Sequence, residues 1–472
     1  MPWRDVVTPA PMSRVAVVAP LTAFRDTLVR VAAAGCVEID RLLAPGDAQP
    51  GDAARRVQRL RGGGAGPALL AAAEPDLAAL ERAGRADLLA GEAELAAYRG
   101  EAVQHGDVAA LVGWAPSATV AGLSGDLAEV GGAVVPLPRP AGAEPPTMLR
   151  REGAGRAFAP LVETYATVPY RDVDPTIIAG VAYVVMFGVM FGDVGHGALI
   201  LLGALLIRAG RPRRLAGLRP RWLFVAGAGL TSMLAGLAYG EFFGPTGLVP
   251  VTWLAPLDEP IPLLVAGVSL GAVLLAGAYA LGTVNRVREG GWRLALYAPS
   301  GIAGSLLFLA AGLAGAGWYA GVGWLSTLGA LLACVALGLS FVGLLAGAGG
   351  GGAGFLQASV ELFDLVIRLG SNVVSFARLA AFGLTHAALG WLVWAGTTAL
   401  WARGGVAVVA ALAVFLLGNA VAFALEALVA GVQALRLEYY ELFSRVFQQQ
   451  EGRPFRPWHV PTASGADLEE AS

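Results

Sequence analysis

Beyond Asp174 the chain becomes a series of long apolar stretches, and this constrains its fold more than any other feature. The hydrocarbon core of a bilayer takes about 20 consecutive apolar residues of helix to cross. Within it, every backbone polar group must be satisfied by the spanning segment itself, which leaves only helices and closed barrels. The stretches here have helical length: 176–192, 194–207, 222–240, 261–285, 294–313, 324–345, 361–401 and 406–447. They predict a mainly α membrane protein with eight transmembrane helices. The last two are longer than a crossing needs, so they are expected to be strongly tilted or broken, with ends outside the core. Composition agrees, since 56% of residues are hydrophobic and 14% are charged, where a soluble domain carries about 25% charged.

The first part of the chain reads differently. Residues 1–170 hold most of the ordinary charge mixture, and 15–18 and 108–112 look like short buried strands, each followed by helical sequence. Between them, 53–61 and 76–98 carry apolar residues three and four apart, interrupted by Gly62-Gly63-Gly64. The expectation is a small cytoplasmic α/β arm with a short helical hairpin over 1–170, a membrane domain over 171–450 and a cytoplasmic tail over 451–472. The patterned sequence begins at Met12, and no charged segment followed by an apolar one opens the chain. Loop charges fix the orientation, because cytoplasmic loops collect arginine. Arg208, Arg211, Arg213, Arg214, Arg219 and Arg221 follow the second stretch, and Arg286, Arg288 and Arg293 follow the fourth. The loop 242–260 has no arginine, and Arg403 after the seventh stretch is the one exception. Both termini are therefore expected in the cytoplasm, with a prokaryotic cell membrane as the location.

Several functions are excluded. A net charge of -2 leaves no electrostatic footprint for nucleic acid. Lysine is absent, so all 33 basic residues are arginine, and neither a Walker A lysine nor Schiff-base chemistry is available. Cys36 and Cys334 lie in a polar and an apolar segment and read as buried thiols without a disulfide. His105 and His459 have no metal-ligand company. No cofactor, no metal and no catalytic residue is expected.

A charge at the centre of a membrane helix costs at least about 2.5–3.5 kcal/mol and survives mainly along water paths or in pairs. Such charges gather in the last two stretches: Asp364, Arg368, Arg378 and His386 in one, Glu426, Arg436, Glu438 and Glu441 in the other. At 100° per residue, Asp364 and Arg378 fall within about 40° on one face, and His386 lies about 80° further round. Glu426 and Arg436 are separated by about 80° and about 15 Å along their helix. One reading pairs Arg378 with Glu426 to hold two helices together. Another starts from arginine keeping its proton at any cellular pH, which makes Arg378 a fixed cation in a low-dielectric layer. A carboxylate carried past it would have to surrender its proton, and two aqueous half-paths would be kept apart.

These residues resemble subunit a, also called subunit I, of the V-type and archaeal or bacterial A-type ATPases. The most specific parts of the resemblance, which runs from Met12 to Trp458, are Ser375-Phe-Ala-Arg378-Leu-Ala-Ala-Phe-Gly-Leu-Thr-His386 and Glu426-Ala-Leu-Val-Ala-Gly-Val-Gln-Ala-Leu-Arg436-Leu-Glu-Tyr-Tyr-Glu. Supporting matches are Pro169-Tyr-Arg-Asp-Val-Asp174-Pro-Thr, Met190-Phe-Gly-Asp193-Val-Gly-His196-Gly, Tyr239-Gly-Glu241-Phe-Phe-Gly, Gly113-Trp114-Ala-Pro116 and Glu144-Pro-Pro-Thr-Met-Leu. The resemblance implies a non-catalytic membrane stator subunit whose two long helices face a rotating proteolipid ring. It implies Arg378 as the main barrier arginine, Arg436 as the second, and Glu426, His386 and Asp364 as polar positions of the half-channels. Relatives often have glutamate where Asp364 stands, and His386 also reads as a satisfied bundle histidine. Glu241, Asp193 and His196 read as a channel mouth or as the break between two helices. Partners implied are the ring, peripheral stalk subunits and, indirectly, central-stalk and catalytic subunits, in a lipid bilayer. Relatives carry a longer amino-terminal arm with two lobes, so the stalk contact is open. Two other readings are a secondary transporter, which calls for inverted repeats, and an assembly subunit without an ion path.

Overall fold

The computed structural model describes residues 8–40, 51–60, 67–140, 142–149, 153–447 and 452–463. The expected extension before Met12 falls largely outside these, as do the Gly62-Gly63-Gly64 interruption and the end of the tail. The described residues of Pro9–Arg150 and Gly452–Ser472 form one compact unit, and those of Arg151–Glu451 form another.

The first unit is built on an antiparallel sheet. Its strands are β1 (Met12–Pro20), β2 (Glu38–Ile39), β3 (Val103–His105), β4 (Val108–Pro116) and β5 (Ala133–Leu137), in the order β2-β4-β1-β5, with β3 also on β4. Both expected strands are present and pair with each other, Val15 opposite Gly113 and Val17 opposite Leu111. Val15, Val17 and Ala19 alternate onto the buried face of β1, which is the period of two that specifies a half-buried strand. Gly113 has no substitute, since a Cβ there would lie 2.3 Å from the Glu38 carbonyl of β2.

Helices α1 (Phe24–Ala34), α2 (Asp52–Leu60), α3 (Leu77–Arg82), α4 (Ala86–Gly100) and α5 (Val120–Ala128) surround the sheet. The single helix expected over 76–98 is two. Asp76 caps α3 by accepting from the Ala78 amide at 2.9 Å, and Gly84 at φ 68° ends the segment before α4 begins. A left-handed residue is a standard helix stop.

Residues 452–463 are built into this unit instead of forming a separate tail. Phe455 donates to Thr147, Trp458 to the Val37 carbonyl, Val460 to Ala32 and Ala463 to Leu70. The Trp458 and Val460 side chains are buried in the same core as Val15, Phe24 and Leu111, and the Trp458 ring lies 4.5 Å from that of Tyr98.

The second unit is helical: α6 (Ala154–Glu163), α7 (Thr176–Met190), α8 (Val194–Arg208), α9 (Trp222–Tyr239), α10 (Pro260–Tyr297), α11 (Ile302–Tyr319), α12 (Gly323–Gly347), α13 (Gly351–Ser375), α14 (Ala377–Trp401), α15 (Ala407–Leu437) and α16 (Phe443–Val446). Among the described residues, six helical runs are long and apolar enough to cross a membrane: Arg213–Tyr239, Pro260–Tyr297, Ile302–Tyr319, Gly323–Gly347, Gly351–Trp401 and Ala407–Val446. Of the eight expected spans, the first two, α7 and α8, have 15 residues each. At 1.5 Å per residue each reaches about 22 Å, short of the ~30 Å core. The stretch expected as 294–313 begins at Ile302, because 294–297 complete α10 beyond its kink at Gly291.

Large apolar side chains stand exposed along these helices, among them Leu331 on α12 and Leu416 and Leu428 on α15. Water would penalise such a surface, and a monomeric soluble protein rarely carries it; lipid solvates it. The interior packs through small residues. Cβ atoms on Gly197 of α8 and Gly229 of α9 would lie 2.7 Å from backbone of the facing helix, the close approach that drives association where lipid removes the hydrophobic force. Cys36 is half-buried and Cys334 exposed, both unbonded, so the expectation of two buried thiols fails: Cys334 sits on the outer face of α12.

Candidate functional site

The seventh stretch is broken at Phe376, the residue between α13 and α14. Phe376 is fully buried, and its ring presses so closely on α10 that a Cβ at Gly271 would come within 2.0 Å of it. This plug fixes the start of α14 and with it Arg378, two residues on. The Arg378 side chain is 22% exposed, and its Nη2 lies 3.7 Å from Glu441 Oε1. Its Nη1 is buried with no hydrogen-bond partner among the described residues. The guanidinium borders an open groove lined by Pro260, Leu264, Ser371, Ser375 and Leu384.

Glu441 reaches this place through a π-helical turn, Glu438–Leu442, inserted between α15 and α16. Such a turn accommodates one extra residue and rotates everything after it by about 100°. Glu438 and Glu441 are both buried. Arg378 and Glu426, which one of the two sequence readings paired as helix glue, have different partners here.

Glu426 contacts His386 Nδ1 instead. His386 lies on a second cluster with residues of the α7–α8 break. Asp193 caps α8, its Oδ1 accepting from the His196 amide at 2.8 Å, while its Oδ2 accepts from the Gly244 amide at 2.9 Å. One carboxylate thus ends a helix pair and anchors the loop after α9. The His196 and His386 ring centroids are 5.7 Å apart, and Phe191, Phe243 and Phe423 pack around them. Phe243 holds φ at 50°, an uncommon conformation for a bulky residue and a local strain that turns its ring onto His196. Glu241 is buried and interacts electrostatically with His386, Asp193 and Glu426.

Of the sequence-derived site residues, the structure therefore gathers His386, Glu426, Glu241, Asp193 and His196 into one cluster. Arg378 stands in another with Glu441, near enough to Arg436 to feel its charge, although Arg436 itself is exposed. Asp364 belongs to neither. It pairs at 2.6 Å with Arg368 one turn on, both side chains being more than half exposed, about 20 Å along the helix from Arg378. Sequence reasoning left out Glu441 and Glu438 as site residues, although two further acids in an apolar helix were a signal. Asn419, buried beside His196, gave none.

Long apolar helices with buried charges converging from their broken points define an integral membrane protein with a polar interior. Residues 107–250 match the V-type ATPase 116kDa subunit family. An A-type ATP synthase subunit I of Aeropyrum pernix is 29% identical over 358 residues, covering 65% of this chain and 50% of the relative. Another from Thermococcus kodakarensis is 26% identical over 67% of this chain and 48% of the relative. The V-type proton ATPase subunit a1 of Arabidopsis thaliana is 37% identical over 108 residues, 21% of this chain and 13% of the relative. Across these matches the chain is similar to subunit a (subunit I) of the V/A-type ATPases. It spans about half the length of the archaeal relatives it matches.

Proposed function

We propose that this chain is the membrane stator subunit of a rotary ATPase, forming ion half-channels beside a proteolipid ring and coupling proton or sodium movement to rotation. The observation that carries the reading is Arg378: a cation with a buried, unpartnered Nη1, its own-chain carboxylate no nearer than 3.7 Å, facing an open groove. A buried donor left without an acceptor costs about 1–3 kcal/mol or more, and an acid carried past on a neighbouring subunit would relieve that cost. The His386–Glu426 pair, with Glu241 behind it, supplies titratable groups on one side of this barrier, and Glu441 with Arg436 supplies them on the other. In this reading α7 and α8 complete eight spans, both termini are cytoplasmic, and peripheral stalk subunits are among the partners. Nucleotide chemistry belongs to partner chains.

The test is reconstitution of the complex in proteoliposomes with Arg378→Ala and Arg378→Lys. ATP-driven proton or sodium uptake should fall to background in Arg378→Ala, with the complex still assembled. Coupled uptake at the wild-type rate in that variant would leave an assembly subunit without an ion path as the better account.

A further inference from the structure

Asp193, His196 and His386 arrive from α8 and α14, and each offers one ligand atom, the three atoms lying within 4.8 Å of one another. All three residues are buried, at 0%, 2% and 5% exposure. Among the described residues, neither ring nitrogen of His196 completes a hydrogen bond. Its Nδ1 lies 3.7 Å from Asp193 Oδ1, and the Asn419 carboxamide, one N–H of which donates to the Phe415 carbonyl, stands beside it with a second N–H and an oxygen. Buried polar groups are hydrogen-bonded as a rule, so an imidazole whose own-chain neighbours stop short of hydrogen-bond geometry has room for a further partner. On His386, the Glu426 carboxylate occupies Nδ1. This is the outer arrangement that orients ligating histidines and leaves the second nitrogen for a metal.

We propose that Asp193, His196 and His386 form a binding site for a divalent transition-metal ion of the zinc class. Two imidazoles and one carboxylate are the donor set such ions take, commonly with a fourth position left open. Magnesium and calcium prefer all-oxygen surroundings. Bonds of about 2.0–2.1 Å in a tetrahedron place ligand atoms about 3.4 Å apart, so the three side chains close in by up to about 1.4 Å. A dication is costly in a dry interior unless its charge is matched. Glu241 interacts electrostatically with both Asp193 and Glu426, and these carboxylates supply the matching negative charge. Phe191, Phe243 and Phe423 wall the site from bulk water. The inference concerns equilibrium binding by the chain itself; a bound ion would take His386 out of the titrating groups of the half-channel reading.

The experiment uses the full chain purified in detergent and stripped of metal. Titration with cobalt(II) reads the visible absorption of a low-symmetry four-coordinate ion, zinc displaces it, and elemental analysis gives the stoichiometry. About one ion per chain is expected. His196→Gln and Asp193→Asn should each weaken binding about tenfold or more, since even loss of an outer-shell partner has effects on that scale. His105→Gln and His459→Gln should leave it unchanged. Zinc should also raise the melting temperature of the wild type but not of His196→Gln, whose metal-free melting reports whether it folds. Asp193→Asn keeps one acceptor for the His196 amide but sets an N–H against that of Gly244, so its own metal-free melting is read alongside and it serves where that melt is retained. A bridging water in place of a metal would give no cobalt spectrum and no zinc shift, and that result overturns the proposal. So does wild-type affinity in His196→Gln.

Discussion

Trp458→Ala should release residues 452–463 from the first unit without unfolding its sheet. The side chain is 5% exposed, and a tryptophan buries up to about 250 Å², worth about 6 kcal/mol at 25 cal/mol per Å². Residual burial in the unfolded chain reduces this to about 4 kcal/mol, within the 3–5 kcal/mol typical of removing a large aromatic side chain. The indole also donates to Glu94 Oε2 at 3.2 Å. Glu94 is exposed, so water replaces that bond and its loss adds only about 1 kcal/mol or less. Packing therefore dominates, and Trp458→Phe should retain most of the stability. Hydrogen exchange of the amides of 452–463 reads the local opening directly. About 4 kcal/mol corresponds to a fall in protection of roughly a thousandfold in Trp458→Ala, and Trp458→Phe should lose no more than about tenfold. Unchanged exchange in Trp458→Ala, or equal damage from the two variants, would refute the reasoning.

Two further substitutions probe the second unit. Gly271→Ala places a methyl within 2.0 Å of the Phe376 ring; overpacking of this kind costs about 1–3 kcal/mol and should lower the melting temperature in detergent, a wild-type melt counting against Phe376 as the wedge that sets Arg378. Asp172, outside the spanning helices, is fully buried, and burial first, then the neighbouring Glu289, pushes its carboxyl up to about 7. The folded state therefore holds this proton where the unfolded state has lost it, so between about pH 4 and 7 stability should fall as pH rises, by no more than about 4 kcal/mol. Asp172→Asn should flatten that slope in melts at pH 5 and 8; an unchanged slope would assign it to other groups.

The apolar runs announced most of the membrane helices, and the alternation around Val15 and Leu111 announced β1 and β4, because burial of one face imposes a period that composition cannot hide. β5 was not legible: its Ala133, Val135 and Pro136 are exposed, so it follows no buried alternation. The split of the helix over 76–98 turned on one residue, Gly84, whose conformation is a local choice. Within the site, the polar residues were conspicuous one by one, since charge in lipid is rare. Their partners were not, for two physical reasons. A π turn displaces Glu441 from the face that regular helical counting assigns it. And the meeting of His196 with His386 depends on packing between α8 and α14, which no local pattern encodes. The same holds for 452–463, whose Trp458 and Val460 looked like an ordinary polar tail with occasional apolar residues.

The core of the first unit draws Trp458 and Val460 from the far end of the sequence. Its completion therefore waits until the intervening helices have been made, and a chain cut short before residue 452 would leave the Ala32, Val37 and Leu70 carbonyls without the amides that close them.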